Sequence, residues 1–330
     1  MKMLIIYNDN LDPHFNLASE QFFLEGFGDV FMIWRNGRSV IIGKNQNAYG
    51  EVNVPFTEEH FIPVVRRLTG GGAVFHDAGN INYTFITDAN GNGIDFARFT
   101  APICDALAEF GVDASLSGRN DLTTGGFKIS GNAQCVYDTN DGRKRLLHHG
   151  TLLFSADISE MAASLRPSEE KLSSKGIKSV PSRVMNISAL ENYRGPKDAE
   201  EFALLLVKYA EIRFGTKSRE LTDGEISEIS AISDEKYSRW EWNFGKSPEY
   251  AKKASRRFSY GTVEISLSAE HGKIRDIFIG GDFFGTEDVS ELCEKLCGTQ
   301  LLKDELLLGL CDIGIYIKGA TPDEITDLIL

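Results

Sequence analysis

Residues 66–82 read RRLTGGGAVFHDAGNIN, with three consecutive glycines, Gly70, Gly71 and Gly72, set between a pair of arginines and an apolar run. Glycine has no Cβ, so it accepts positive φ and lets a ligand or a second strand approach the backbone. Successive bare N–H groups form a concavity that suits an anion. Arginine adds a planar fork of donors matched to phosphate or carboxylate. Two readings fit these residues: an anion-binding loop for a phosphorylated or carboxylate ligand, or a glycine hinge between strands with its arginines on a solvated face. Residues 62–68 form a β-branched strand leading into the loop, so Arg66 and Arg67 point to opposite faces.

Outward from the loop, residues 2–7, 30–35, 39–42 and 82–87 read as strands, with Asn36-Gly37 as a hairpin signal between the second and third. Leu17, Phe22, Phe23 and Phe27 mark a helix over 16–26. Phe96, Phe99, Ile103, Leu107 and Phe110 mark another over 95–110, stopped at Gly111. Strands follow at 121–124, 128–138 and 144–156, with a turn at Asn140-Asp141-Gly142. Strand-rich sequence with interspersed helices and no regular βαβ alternation predicts an α+β domain with a mixed or antiparallel sheet. Helices are expected at 159–165, 198–214 and 223–239. Between the first two, residues 168–186 carry Lys171, Lys175, Lys178 and Arg183 among serines, as a segment that closes over a ligand or a plain surface loop.

An aromatic cluster near Trp242 gives way to charged, turn-prone sequence, so the chain is divided into residues 1–246 and 247–330. The second part is read as a small α+β domain. It has strands at 256–267 and 273–279 joined through His271-Gly272, and helices at 288–297 and 304–311. Its last helix opens with the capping-box sequence Thr321-Pro322-Asp323-Glu324.

The 42% hydrophobic and 25% charged content is that of an ordinary globular protein, and no apolar run has the length of a membrane helix. The apolar part of MKMLIIYNDN is too short for a signal peptide and reads as a first strand. The five cysteines, at 104, 135, 293, 297 and 311, are scattered and odd in number, which argues against a disulfide framework. A cytoplasmic location is the expectation. A net charge of −13 argues against general nucleic-acid binding. Cations at Arg35, Arg38, Lys44, Arg66, Arg67, Arg119 and Lys128 adjoin glycine-rich or strand-like segments and are compatible with a local cleft for a small anion.

Lys128 lies in the alternating strand GGFKISGNA, where its ammonium faces either a concave ligand-lined surface or solvent. Asn120 and Asp121, after Gly118, can read a base or ribose edge, or form a polar turn. His76, His148 and His149 lack the partners of a metal site at recognisable spacing. Cys135 is conceivable as a thioester nucleophile, but a regular strand puts it on the face opposite Lys128. No Ser-His-Asp order and no Walker-type loop is present.

The segments RRLTGGGAVFHDAGNINYTF, GRNDL, KISGNAQ, HHGTLL, KGIKSVPSRVMNI and WEWNFGKSPEY, in this order, resemble the lipoate–protein ligase family. The likeness spans nearly all of residues 1–250, and the tail resembles, more loosely, the accessory domain of the bacterial ATP-using members. The resemblance implies the α+β catalytic fold shared with biotin ligases and class II aminoacyl-tRNA synthetases. It also implies two steps: lipoate and ATP give lipoyl-adenylate and pyrophosphate, then an acceptor lysine gives an amide and AMP. Carried over by motif, Arg67, Gly72, Ala73, Val74 and Phe75 contact the nucleotide and line the lipoyl channel. Lys128 bridges the lipoyl carboxyl and the α-phosphate, and Asn120 and Asp121 lie along the adenylate. Gly70, Gly71, Gly72, His76 and His149 belong to the lipoate site. ATP, with Mg²⁺ near Asp121 and no metal held by a protein motif, and lipoate are the implied ligands. Lipoyl domains of 2-oxoacid dehydrogenase acyltransferase subunits or the glycine-cleavage H protein are the implied acceptors, and the enzyme is expected to be a monomer. Some relatives only transfer an acyl group from a preformed adenylate or carrier, and a non-catalytic acyl-adenylate or lipoyl-domain binder is a third reading. The turn Thr123-Thr124-Gly125-Gly126-Phe127 is shorter than the charged turn of many relatives, which leaves the neighbouring strand ends open.

Overall fold

The structure is a computed structural model that describes residues 3–44, 46, 48–89, 95–118, 120–165, 184–245, 250–281, 287 and 289–330. Residues 168–183 of the basic segment and Arg119 lie outside the described residues.

The chain forms β1 (Leu4–Asn8), β2 (Val30–Arg35), β3 (Ser39–Ile42), β4 (Val64–Arg66), β5 (Val74–His76) and β6 (Asn80–Asp88). It continues with β7 (Ser115–Ser117), β8 (Asp121–Thr124), β9 (Phe127–Asp138), β10 (Lys144–Leu153) and β11 (Ser218–Arg219). Eight of these make one sheet in the order β11-β1-β2-β6-β10-β9-β8-β7, and three make a smaller sheet, β4-β3-β5. The large sheet is mixed: β1 is parallel to both β2 and β11, and the β2–β6 and β6–β10–β9 pairings are antiparallel. The α+β expectation holds.

Alternation along the large sheet separates two cores. Phe31, Phe85, Leu122, Ile129 and Leu152 pack under the helices Phe96–Ala108 and Ala199–Phe214. Ile6, Met32, Trp34 and Leu147 pack under the helix Pro13–Gly26 and against Ile41 and Val65 of the small sheet. The other face of the small sheet, with Val40, Ile42 and Phe75, joins a third cluster that runs into the C-terminal part. Tyr49 Oη donates to the Leu301 carbonyl across that contact.

Several local expectations change. The first helix begins at Pro13, with Asp12 as its cap accepting from the His14 N–H at 2.9 Å; proline at the first helical position loses no hydrogen bond there. The Asn36-Gly37 corner is not a hairpin, because β2 joins the large sheet and β3 the small one. Its Asn36 side chain is fully buried, bonded to Asn16 and His76, and Gly37 N–H donates to the Leu11 carbonyl at 2.7 Å. These bonds carry the chain across to the second sheet. The strand of residues 62–68 is confined to β4, and the helix predicted over 223–239 ends at Ile232 in a wide turn, Ser233–Tyr237, that buries Tyr237.

In the C-terminal part the single strand predicted over 256–267 is two. β12 (Tyr250–Phe258), β13 (Gly261–Glu270) and β14 (Lys273–Gly281) form an antiparallel sheet, with the expected hairpin at His271-Gly272. Among the described residues four helices cover it, Val289–Leu296, Lys303–Gly309, Ile313–Tyr316 and Pro322–Ile329, the last with its capping box formed.

Candidate active site

A cavity of about 210 Å³ lies between the two sheets. Leu17, Trp34, Ile41 and Val74 give it an apolar lining drawn from one buried cluster. Asn120, Lys128, Gly131 and Asn132 line it from β9 and the entrance to β8. Of the residues singled out in the sequence, Arg67, Gly71, Gly72, Ala73, Val74, His76, Asn120, Lys128 and His149 line the cavity. Phe75 does not: Val74 and His76 flank it on a strand, so its side chain turns into the opposite core and is 1% exposed. Gly70 and Asp121 stand just behind the wall, in contact with Arg67 and Lys128 respectively.

The two arginines divide as strand alternation requires. Arg66 is fully buried and donates to the carbonyls of Trp242, Gly43, Lys44, Gln46 and Asn243 at 2.7–3.1 Å. It clamps the segment after β3 to the helix Trp240–Asn243. Arg67 holds the glycine loop from inside, since its Nη2 donates to the Gly70 carbonyl at 2.6 Å and the Gly72 carbonyl at 2.9 Å. Its Nη1 donates to the Ile41 carbonyl and its Nε to Thr69 Oγ1. Burial pushes both guanidinium groups down to about 10. Gly71 adopts φ +93°, and a Cβ at Gly43 would collide with the Gly71 carbonyl, so the loop needs both glycines.

Behind the loop a chain of hydrogen bonds connects the buried cation to a buried carboxylate. Thr69 Oγ1 lies 2.7 Å from His149 Nε2, and His149 Nδ1 lies 2.9 Å from Glu20 Oε1. Glu20 is 1% exposed and also accepts from Thr84 Oγ1 at 2.7 Å, which in turn accepts from Trp34 Nε1. Sequence reasoning missed Glu20, Thr69, Thr84 and Trp34. One signal was available: Glu20 falls three residues after Leu17 and four before Leu24, on the apolar face of its helix.

Lys128 Nζ pairs with Asp121 Oδ1 at 2.8 Å, and both side chains are 36% exposed. A Cβ at Gly131 would stand 3.1 Å from that ammonium, so glycine leaves the lysine its space. The short turn resolves the open strand ends: Gly125 and Gly126, at φ +57° and +84°, close a tight hairpin between β8 and β9. Where the chain re-emerges from the basic segment, Met185 N–H donates to the Lys128 carbonyl at 3.1 Å. Asn120 is tied to the sheet through Asn132, its Nδ2 donating to the Asn132 carbonyl at 2.7 Å.

The side of the sheet that carries Cys135 is corrected. The β8–β9 register pairs Leu122 with Ser130 and Thr123 with Lys128, leaving Ile129 as an extra residue. That bulge shifts the alternation by one. Cys135 therefore shares a face with Lys128, Gly131 and Ala133, packed in the cluster that lines the cavity. Burial pushes its thiol up to about 12, which disfavours the thiolate. The adjacent histidines also separate. His149 faces the cavity, whereas His148 stacks on Phe99 at 5.1 Å on the other face, where burial drives it down to about 3. No group of three potential metal-ligating side chains occurs among the described residues.

The model for the lipoyl protein ligase A/B catalytic domain matches residues 12–210, and that for the bacterial lipoate protein ligase C-terminus matches residues 247–329. The chain belongs to the lipoate–protein ligase A family. It is 40% identical to a lipoate-protein ligase of Bacillus subtilis, over 99% of this chain and all of the relative. It is 41% identical to lipoate–protein ligase 1 of Staphylococcus aureus, over 90% of each. Among solved structures, the bi-partite lipoate protein ligase of Thermoplasma acidophilum, described with its E2 lipoyl domain, superposes with a TM-score of 0.63 at 26% identity. It covers 76% of this chain and 99% of its own. LipL1 of P. falciparum, in complex with lipoate, superposes with a TM-score of 0.61 at 26% identity, over 99% of each chain. Lipoate–protein ligase activity, in that broad sense, is what family membership supports.

Proposed function

We propose that this member of the family activates lipoate with ATP and then transfers the lipoyl group to a lysine of a lipoyl domain. The observation that carries the reading is Lys128, paired with Asp121 at 2.8 Å beside a cavity that joins an apolar patch of Leu17, Trp34, Ile41 and Val74 to polar groups including Arg67, Asn120 and His149. In the first step a carboxylate oxygen of lipoate attacks the α-phosphorus of ATP and pyrophosphate leaves. A carboxylate is a poor electrophile, and adenylation turns one of its oxygens into a leaving group. Lys128 lies between the two anions, where charge gathers on the α-phosphate and acyl oxygens. Arg67, Gly72, Ala73 and Val74 form the nucleotide side with Asn120 and Asp121. Gly71, His76 and His149 border the acyl chain with Gly70 behind them, and Leu17, Trp34 and Ile41 supply apolar contact. In the second step the acceptor lysine amine attacks the acyl carbon and AMP leaves.

Magnesium binding needs one or two carboxylates together with phosphate oxygens and water. Asp121, partly exposed and next to Lys128, fits as the single carboxylate accompanying MgATP. The acceptors are lipoyl domains of 2-oxoacid dehydrogenase acyltransferase subunits or the glycine-cleavage H protein, modified in the cytoplasm by a monomeric enzyme. A relative described with an E2 lipoyl domain supports the first of these.

Lipoate-dependent exchange of labelled pyrophosphate into ATP tests the reading. Exchange is expected. Its absence, with amide formation preserved from supplied lipoyl-adenylate, would replace the ligase by a transferase. A covalent cysteine route to transfer is disfavoured by the buried, raised thiol of Cys135.

A further inference from the structure

His76 lines the cavity, is 4% exposed, and its Nε2 has no hydrogen-bond partner among the described residues. A buried polar atom without a partner costs about 1–3 kcal/mol, so its position calls for an explanation. The rest of the ring is firmly held: Nδ1 lies 3.0 Å from Asn36 Nδ2, and the ring meets Trp34 edge to face at 6.4 Å.

Which nitrogen carries the proton follows from a row of buried amides. Asn16 Nδ2 faces the carbonyls of Asn10 at 2.7 Å and Arg35 at 2.8 Å, so this end of the Asn16 amide must be its donor. The same Nδ2 lies 2.9 Å from the Asn36 amide, where a second NH₂ would set donor against donor, so Asn36 turns its Oδ1 to Asn16 and shares one of the two hydrogens. Asn8 Nδ2 donates to Asn16 Oδ1 at 2.8 Å and agrees with that orientation. With its oxygen on Asn16, Asn36 presents its NH₂ to His76 Nδ1, which must accept. A neutral imidazole that accepts at Nδ1 carries its hydrogen at Nε2. The unpartnered atom is thus a buried donor on a side chain that lines the cavity. On the large-sheet wall of the same cavity, Asn82 Nδ2 is also buried without a partner among the described residues.

We propose that His76 is a fixed, neutral hydrogen-bond donor to an oxygen of the bound substrate, and that Asn16 and Asn36 are the positioning residues that set its tautomer. The proposal rests on the cavity being the substrate site of the ligase described above. Burial, with Arg67 and His149 nearby, also disfavours the imidazolium, which agrees with a ring that keeps one proton. A neutral donor suits the task because it recognises an oxygen without placing a second full charge beside Lys128.

Nitrogen NMR of the full chain with ¹⁵N-labelled histidine, assigned by loss of signal in His76→Gln, reads the tautomer without turnover. Nε2–H is expected at pH 7, and Nδ1–H would overturn the proposal. In Asn36→Asp the new carboxylate accepts from Nδ1, so the tautomer should invert. The KM for lipoate or for ATP should then rise about tenfold, the worth of one hydrogen bond. The KM that rises assigns the oxygen to the acyl or the nucleotide part of the substrate. An inverted tautomer with neither KM changed overturns the donor role. Should Asn36→Asp fail to fold, His76→Gln, which keeps a donor, is expected to retain substrate affinity better than His76→Leu; equal losses count against the proposal. If pyrophosphate exchange is absent, the ligase reading fails independently, and the same KM comparison is made with preformed lipoyl-adenylate.

Discussion

Adjacent residues His148 and His149 lie on opposite faces of one strand and meet opposite chemistry. His148 enters a dry core among Phe85, Phe99 and Tyr83, with Gln134 at its Nδ1. His149 enters a polar chain that links the buried carboxylate of Glu20 to Thr69 and, through it, to Arg67. The large sheet has this asymmetry throughout. The face under the helices Phe96–Ala108 and Ala199–Phe214 is chiefly aromatic and aliphatic, with Gln134 bonded to His148, whereas the face toward the small sheet sets buried amides, hydroxyls and a carboxylate beside a cavity. Burial alone therefore does not mark a structural residue here. What distinguishes the cavity face is that its buried polar groups converge on space rather than on packed rings.

The largest effect that can break this contrast is Lys128→Ala. It should lower pyrophosphate exchange by about 10²–10³, the usual worth of one preorganised electrostatic contact. The melting temperature should stay unchanged, because the pair with Asp121 is partly exposed. Exchange at the unaltered rate would remove Lys128 from the chemistry.

Arg66→Met should do the reverse. It orphans the buried carbonyls of Trp242, Gly43 and Asn243, and should cost roughly 3 kcal/mol or more in urea unfolding. If Arg66→Met instead leaves stability intact and abolishes exchange, Arg66 belongs to the cavity face.

Acid sharpens the comparison further, because burial holds both His76 and His148 down at about 3, from an ordinary 6.5. The unfolded chain takes up these protons near 6.5, so their contribution to stability is complete above that pH. It is lost as the pH falls from 6.5 toward 3, at roughly 1.4 kcal/mol per pH unit for each ring. His148→Phe, set among aromatic rings, should reduce that slope between pH 6 and pH 4 by one ring's share. An unchanged slope would mean that His148 is already protonated in the folded core.

The smallest effect is expected from Cys135→Ser. Although it shares the face of Lys128, its raised thiol takes no part, and lipoyl transfer should continue at the wild-type rate. Loss of transfer would reopen the covalent route.

Part of the cavity lining was legible because its residues are close in sequence or carry unusual chemistry. The glycine run, Lys128 in its alternating strand and the capping box of the last helix follow from backbone rules that act over a few residues. The separation of Arg66 from Arg67 followed from strand alternation alone. Glu20 was overlooked, although a carboxylate on an apolar helix face was visible in the residues.

Other features required distant partners. Asn36-Gly37 has the composition of a hairpin, but the buried amides of Asn16 and Asn36 turn the chain between sheets instead. Cys135 changes sides because one extra residue, Ile129, slips the β8–β9 register, and side-chain parity depends on pairing that no single strand specifies. Local periodicity and motif chemistry were enough for the α+β class, most of the elements and several of the residues that line the cavity. Contacts between distant parts of the fold set which face each side chain serves, how Arg67, Thr69, His149 and Glu20 connect, and which nitrogen of His76 bears its proton. Hydrogen-bond direction in a buried network is set by every partner at once, and those partners are up to 129 positions apart in the chain.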